Sequence, residues 1–392
     1  MTTLISLLGK SQLDSKSGYR PANYRLPDGS IHPSPYFGMA LAKNIKADKL
    51  VLVGTSGSMW DVFFDHQGSD DEALLSLVDA VRDSKVTAEM LAIHREYLSQ
   101  KLGMEVKCLI IPHARNQDEQ VLVLTELAKV VKSGEKVILD VTHGFRHLPM
   151  LALVAARYLA HVKKVTVQDV YYGALEMTDT NTGETPVLNL GGMLKMLDWV
   201  EALAAYENSG DYGVFAPLFA ADGMPEQQAR LLSKAAFFER TNNPENAKQS
   251  LTGAIKDVQG HSGILGRLFS HHLNENIGWF RKGQRPEWEL ALADRYLERK
   301  DYLRAITYMF ESYISHSVRQ DGSNAINDFE CREKALGRIR ESDNQEFRLL
   351  SNLRNAMAHG VRHRDKSTEK LLGDEDCLDK ELKKLRKVLF KH

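Results

Sequence analysis

The stretch KVILDVTHGFRHLP, residues 136–149, runs from continuous apolar character into a polar turn and then to a proline. A short apolar run closed by turn residues marks a strand buried on both faces. Proline is tolerated only in the first turn of a helix, so Pro149 places a helix start near His147. Strand, polar loop and helix in that order are the unit of a parallel α/β sheet. The cadence recurs at 4–8, 49–57, 106–112 and 165–177, with helical stretches such as 71–103 and 118–134 between the runs. A mostly parallel sheet with helices on both faces follows, and TDTNTGETPVLNL (178–190) predicts a β-hairpin around Asn181-Thr182-Gly183. From about residue 195 the pattern is helical only, and the GQRP at 283–286 predicts a joint. The expected domains are therefore 1–194, 195–285 and 286–392.

Composition narrows the function classes. The 392 residues carry 51 Lys+Arg against 52 Asp+Glu, a net charge of -1, which excludes a uniformly basic nucleic-acid binder but not a local basic patch. Gly (27) and Pro (11) are too few for a collagen-like or low-complexity chain. Cys108, Cys331 and Cys377 lie too far apart for a disulfide framework or a zinc ribbon, so a reducing, cytoplasmic compartment is expected. No apolar run approaches the roughly 20 residues of a membrane span. The opening run meets Lys10 too early for a signal peptide.

Ligands of open α/β sheets sit outside the carboxyl ends of the strands. The loops that fall there are Gly9-Lys10-Ser11, Thr55-Ser56-Gly57-Ser58, Asp140 to Arg146, and Tyr171-Tyr172-Gly173. All are polar and contain glycine or small residues, and their amides suit an anion. Specific phosphate and hydrolase signatures fail: Leu4 stands where a Walker loop needs glycine, and Ser58 where a nucleophile elbow needs one. His143 and His147, four apart, would share a metal only on one helix, and Gly144 and Pro149 put His143 in the loop before it. Thr142, the loop amides, a helix N-terminus and the Arg146 fork instead make an anion cradle. A capped helix entry with a surface arginine is the plainer alternative.

In the C-terminal region, Arg354-Asn355-Ala-Met-Ala-His359 ends a helix, with Gly360 at the cap. At about 100° per residue, Leu350, Leu353 and Met357 form the buried stripe, and His359 lies about 180° from Leu350. Asn355 shares the His359 face as an i,i+4 pair. Arg354 sits about 140° from His359, so only its long side chain brings the guanidinium near the imidazole. Histidine as general acid or base with arginine as charge stabiliser would suffice for attack of an RNA 2′-OH on its own phosphate. An exposed histidine at a helix C-terminus is the alternative. Tyr302, Tyr308, Phe310 and Tyr313 read as core, and Lys383-Lys384-Leu-Arg386-Lys387 as a solvated helix face.

These residues resemble a known family. Asp140-x-Thr142-His143-Gly144 at the end of a strand is similar to the DxTHG signature of type III CRISPR-associated ancillary proteins. Arg354-x4-His359 resembles the RNase motif of HEPN domains, and the two occur in the family's order. The resemblance implies an N-terminal Rossmann-like CARF domain, an all-α linker and a C-terminal α-helical HEPN domain. It implies a cyclic oligoadenylate, by expectation the tetra-adenylate, held at a CARF dimer interface by Gly9, Lys10, Ser11, Thr55, Ser56, Thr142, His143, Gly144, Arg146 and Tyr172. It further implies a homodimer or higher oligomer in which Arg354, Asn355 and His359 of both copies cleave single-stranded RNA, with no metal or cofactor, under allosteric control through the helices of 195–285. Three other readings remain: a non-catalytic regulator that responds to the nucleotide, a ring nuclease acting through Thr142, His143 and Arg146, and a metal-dependent hydrolase on His143 and His147.

Overall fold

The computed structural model describes residues 1–10, 21–69, 71–145, 147–281, 283–322, 325–360 and 365–391. The chain divides into two compact units, Met1–Lys195 and Met196–His392.

The first unit is built on an eight-stranded sheet of order β3-β2-β8-β7-β6-β1-β4-β5. The strands are β1 (Thr2–Leu8), β2 (Ala22–Arg25), β3 (Ile31–Ser34), β4 (Lys49–Gly54), β5 (Glu105–Ile110), β6 (Lys136–Asp140), β7 (Thr166–Gly173) and β8 (Glu184–Asn189). β7, β6, β1, β4 and β5 are all parallel neighbours, and β8 pairs antiparallel with β7. The five apolar runs thus form the parallel core of the sheet. The expected hairpin is β7–β8, turned by Asp179, whose Oδ1 accepts from Asn181 N at 2.7 Å and Thr182 N at 3.2 Å. The sequence reading did not anticipate β2 and β3. They form an antiparallel pair on the far edge, joined to β8, in a stretch crowded with Pro, Asp and Gly. Pro33 is tolerated because β3 is an edge strand.

Period-two alternation sends neighbouring residues to opposite faces. Leu4, Leu8, Leu50 and Leu52 pack with α1 (Phe37–Asn44), α2 (Trp60–His66), α3 (Asp71–Arg82) and α4 (Met90–Leu102). Ile5, Leu7, Val51 and Val53 pack with α5 (Gln117–Val130), α6 (Leu148–Lys163) and the start of α7 (Gly191–Ser209). Burying each such Leu or Ile contributes about 1.5–3 kcal/mol. α6 begins with His147 at its N-cap and Pro149 in its first turn, as the proline requires.

The second unit is helical: α8 (Ala216–Ala221), α9 (Glu226–Arg240), α10 (Pro244–Gln259), α11 (Ile264–Asn276), α12 (Arg285–Glu298), α13 (Tyr302–Gln320), α14 (Phe329–Glu341), α15 (Gln345–His359), α16 (Lys366–Leu372) and α17 (Glu375–Leu389). One apolar core runs through it from Trp199 to Leu385, with Tyr308 and Phe310 in it. Gln284 is the N-cap of α12 in a reciprocal capping box with Glu287. Asn344 caps α15, accepting from Phe347 N at 2.8 Å.

Candidate functional site

The order of the sheet fixes where a crevice opens. From β1 the chain crosses to the β2–β3 pair at the far edge, returns through α1 to β4 beside β1, moves out to β5 and comes back to β6 on the other side of β1. β1 and β6 are parallel neighbours, so the loops after these two strands leave the sheet side by side at one edge. A Cβ on Gly9 would lie 2.7 Å from the Gly144 nitrogen and 3.0 Å from its Cα. No side chain fits at position 9, which accounts for that glycine; a Cβ on Gly144 would instead press on the Leu7 side chain at 3.3 Å. Gly9 also accepts from Met59 N at 3.0 Å, at the entrance to α2.

Side chains lock these loops from beneath. Asp140 is fully buried: Oδ1 accepts from Thr142 N at 2.9 Å, and Oδ2 from Ser6 Oγ at 2.5 Å. Burial raises its pKa from an ordinary 3.8 to about 6, against the pull of the Ser6 and Thr142 hydrogen bonds. Tyr36 Oη lies 3.1 Å from Ser6 Oγ and donates to Leu7 O at 3.0 Å. Thr142 Oγ1 accepts from Gly173 N at 2.8 Å, joining the loop after β6 to the end of β7. Ser58 Oγ donates to Leu8 O at 2.8 Å and accepts from Thr55 N at 2.9 Å, joining β1 to β4.

His143 faces inward. It is 8% exposed, its ring stacks on Tyr36 at 4.9 Å, and its Nε2 accepts from Phe37 N, the first amide of α1, at 3.3 Å. Desolvation lowers its pKa from 6.5 to about 4, so the ring is a neutral acceptor at neutral pH. His147 goes elsewhere, placing its Nε2 2.9 Å from His113 O. The two rings are thus committed to different partners.

Among the expected ligand residues, Gly9, Thr142, His143 and Gly144 come together at this edge. Thr55 is buried, Ser56 is partly exposed, and Lys10 is exposed. Tyr172 is partly exposed and donates from its hydroxyl to Glu176 Oε1 at 2.5 Å. Ser11 and Arg146 lie outside the described residues. Ser6, Tyr36 and Ser58 were not anticipated as supports, because each acts through a contact 29 or more residues away in sequence. Beside the loop, a groove of about 310 Å³ is lined by Ala114, Gln120, His147, Met150, Leu151 and Val154. Phe145 lies between the rings of His113 and His147, at 5.8 and 5.9 Å.

In the helical unit, Leu350, Leu353 and Ala356 form the buried stripe of α15, with Met357 only partly buried. His359 is exposed at the last position, followed by Gly360 at φ +65°. The Arg354 guanidinium lies over the Phe310 ring, and its Nη1 donates to Asn355 Oδ1 at 3.4 Å. The side chain thus lies between the Phe310 ring and the Asn355 side chain. On α17, Lys383 pairs with Asp379, Lys384 with Glu381, and Arg386 grips Asp294 at 2.7 and 2.9 Å. Among the described residues no cluster of His, Cys, Asp and Glu could hold a metal ion, and no helix is long and apolar enough to cross a membrane.

A family model described as the CARF domain of CRISPR system endoribonuclease Csx1 matches residues 3–176, nearly all of the first unit. The CRISPR-associated protein MJ1674 of Methanocaldococcus jannaschii is 23% identical across 92% of this chain. The chain spans 62% of the length of that relative.

Proposed function

We propose that this chain is a type III CRISPR-associated ribonuclease switched on by a cyclic oligoadenylate bound to its first unit, a reading supported by the CARF-domain match and the CRISPR-associated relative. The ligand lies at the β1–β6 edge, where the Gly9 and Gly144 backbones meet and α1 and α6 begin. Phosphates there are met by loop amides and helix N-termini. Two copies pair about a two-fold axis, so that one symmetric ligand meets the same loops twice. His143 shapes the loop from below, and the engagement of its Nε2 by Phe37 N–H favours this supporting role over that of a base in a ring-nuclease reaction.

The observation that carries the reading is the exposed His359 at the end of α15, with Arg354 five residues before it and partly exposed, its guanidinium bonded to Asn355. In the proposed chemistry the RNA 2′-oxygen attacks the adjacent phosphorus, a histidine takes the 2′-OH proton, and the 5′-oxygen leaves with a proton supplied by a second acid. The products are a 2′,3′-cyclic phosphate and a 5′-hydroxyl. The arginine stabilises the charge gathered on the phosphoryl oxygens. Both His359 residues of a dimer would supply the base and the acid, without a metal.

The test is cleavage of single-stranded RNA in EDTA, with and without cyclic tetra-adenylate and hexa-adenylate. Expected is cleavage that depends on one of them. His359→Ala should lose at least 100-fold in rate while binding the activator as wild type does. Cleavage indifferent to both activators, or absent with both, refutes the proposal.

A further inference from the structure

Arg354 does not share the helical phase of His359, so the direction of its guanidinium is set by what the side chain touches. Its guanidinium carbon stands 4.5 Å from the ring centroid of Phe310 on α13. Phe310 is 3% exposed and stacks on Phe347 of α15, with centroids 5.2 Å apart and planes at 22°. Phe347 lies 4.9 Å from the ring of Tyr313, whose hydroxyl accepts from Asn344 Nδ2 at 2.9 Å. Asn344 is also the N-cap of α15. The Phe310 ring is therefore fixed from both helices. Among the described residues, Arg354 forms no ion pair with a carboxylate; it is held by a ring face and a side-chain amide.

A planar cation is drawn to the negative face of an aromatic ring. This attraction orients the guanidinium without neutralising it, which an acidic partner would do. We propose that Phe310 is a positioning residue: its ring face holds the Arg354 guanidinium beside the Asn355 side chain before RNA arrives. The inference rests on the ribonuclease reading above. A group oriented in advance lowers the barrier of the chemical step, so its loss falls on kcat and not on KM.

Phe310→Leu keeps an apolar side chain and removes the π face. In the full-length chain with activator, kcat is expected to fall about tenfold, with KM within twofold of wild type and an unchanged circular dichroism spectrum. In wild-type protein with labelled arginine, the Arg354 Cδ protons, assigned by their absence in Arg354→Lys, should be shifted upfield by the ring current. Wild-type kcat in Phe310→Leu, a change confined to KM, or an unshifted Arg354 signal in wild type overturns the proposal. If Phe310→Leu fails to fold, the wild-type spectrum decides alone. Arg354→Ala, measured alongside, separates the two claims. Full activity in Arg354→Ala sinks the ribonuclease reading. An inactive Arg354→Ala beside a fully active Phe310→Leu sinks only the role of Phe310.

Discussion

Asp140 ends β6 and His143 lies three residues on in the loop that follows, and burial moves both toward their neutral forms. The carboxyl rises to about 6 and the imidazole falls to about 4. Their effects on stability have opposite signs. Between about pH 4 and 6 the folded chain keeps the Asp140 proton that the unfolded chain has lost, so this term weakens as pH rises. Over about pH 4 to 6.5 the unfolded chain holds a His143 proton that the folded chain refuses, so this term strengthens as pH rises. Together they nearly cancel. Denaturation midpoints from pH 4 to 6.5 should therefore rise more steeply with pH in Asp140→Asn than in wild type, and rise less, or fall, in His143→Gln. Identical profiles in all three would show that neither group is shifted. Gly9 gives a steric prediction. Gly9→Ala drives a methyl into Gly144 and forces the two loops apart, so oligoadenylate affinity should fall at least tenfold while the unit stays folded. The DxTHG residues were legible one by one. That His143 points inward was not, because Tyr36 and Phe37 reach it only through the fold.

Whole elements divide by how local their signals are. α15 was readable because its cap, stripe and terminal glycine are all encoded within 344–360. Leu353 is fully buried in that stripe, so Leu353→Ala should cost about 2–5 kcal/mol, measured by chemical denaturation. A cost under about 1 kcal/mol would mean that the helix does not pack as described. The parallel strands were readable from their continuous apolar runs. β2 and β3 were not: each is only four residues long, and the pairing of β2 with β8 joins segments about 160 residues apart. The latch made by Ser58 is likewise tertiary, since only the fold brings Leu8 O within its reach.

At the scale of the molecule, two units with separate cores should unfold separately. The first contains a buried ion pair, Lys49 Nζ to Glu135 at 3.1 Å, with Thr3 Oγ1 donating to the same carboxylate at 2.9 Å. Breaking such a pair strands a buried charge at a cost of about 3–5 kcal/mol. In calorimetry, Lys49→Met should lower the transition of the first unit and Leu353→Ala that of the second, each leaving the other in place. A single transition that both variants move equally would mean that the two cores unfold as one.

The amino-acid order alone determined the parallel sheet, the change to helices near residue 195, the polar loops at the strand ends and the exposed phase of His359. Each follows from periodicity or capping within a short window, where the chemistry is local. Tertiary structure decided the contact of Gly9 with Gly144, the burial that keeps His143 uncharged, and the turn of Arg354 over Phe310. These depend on which distant surfaces are pressed together and dried, and no window of sequence contains that information.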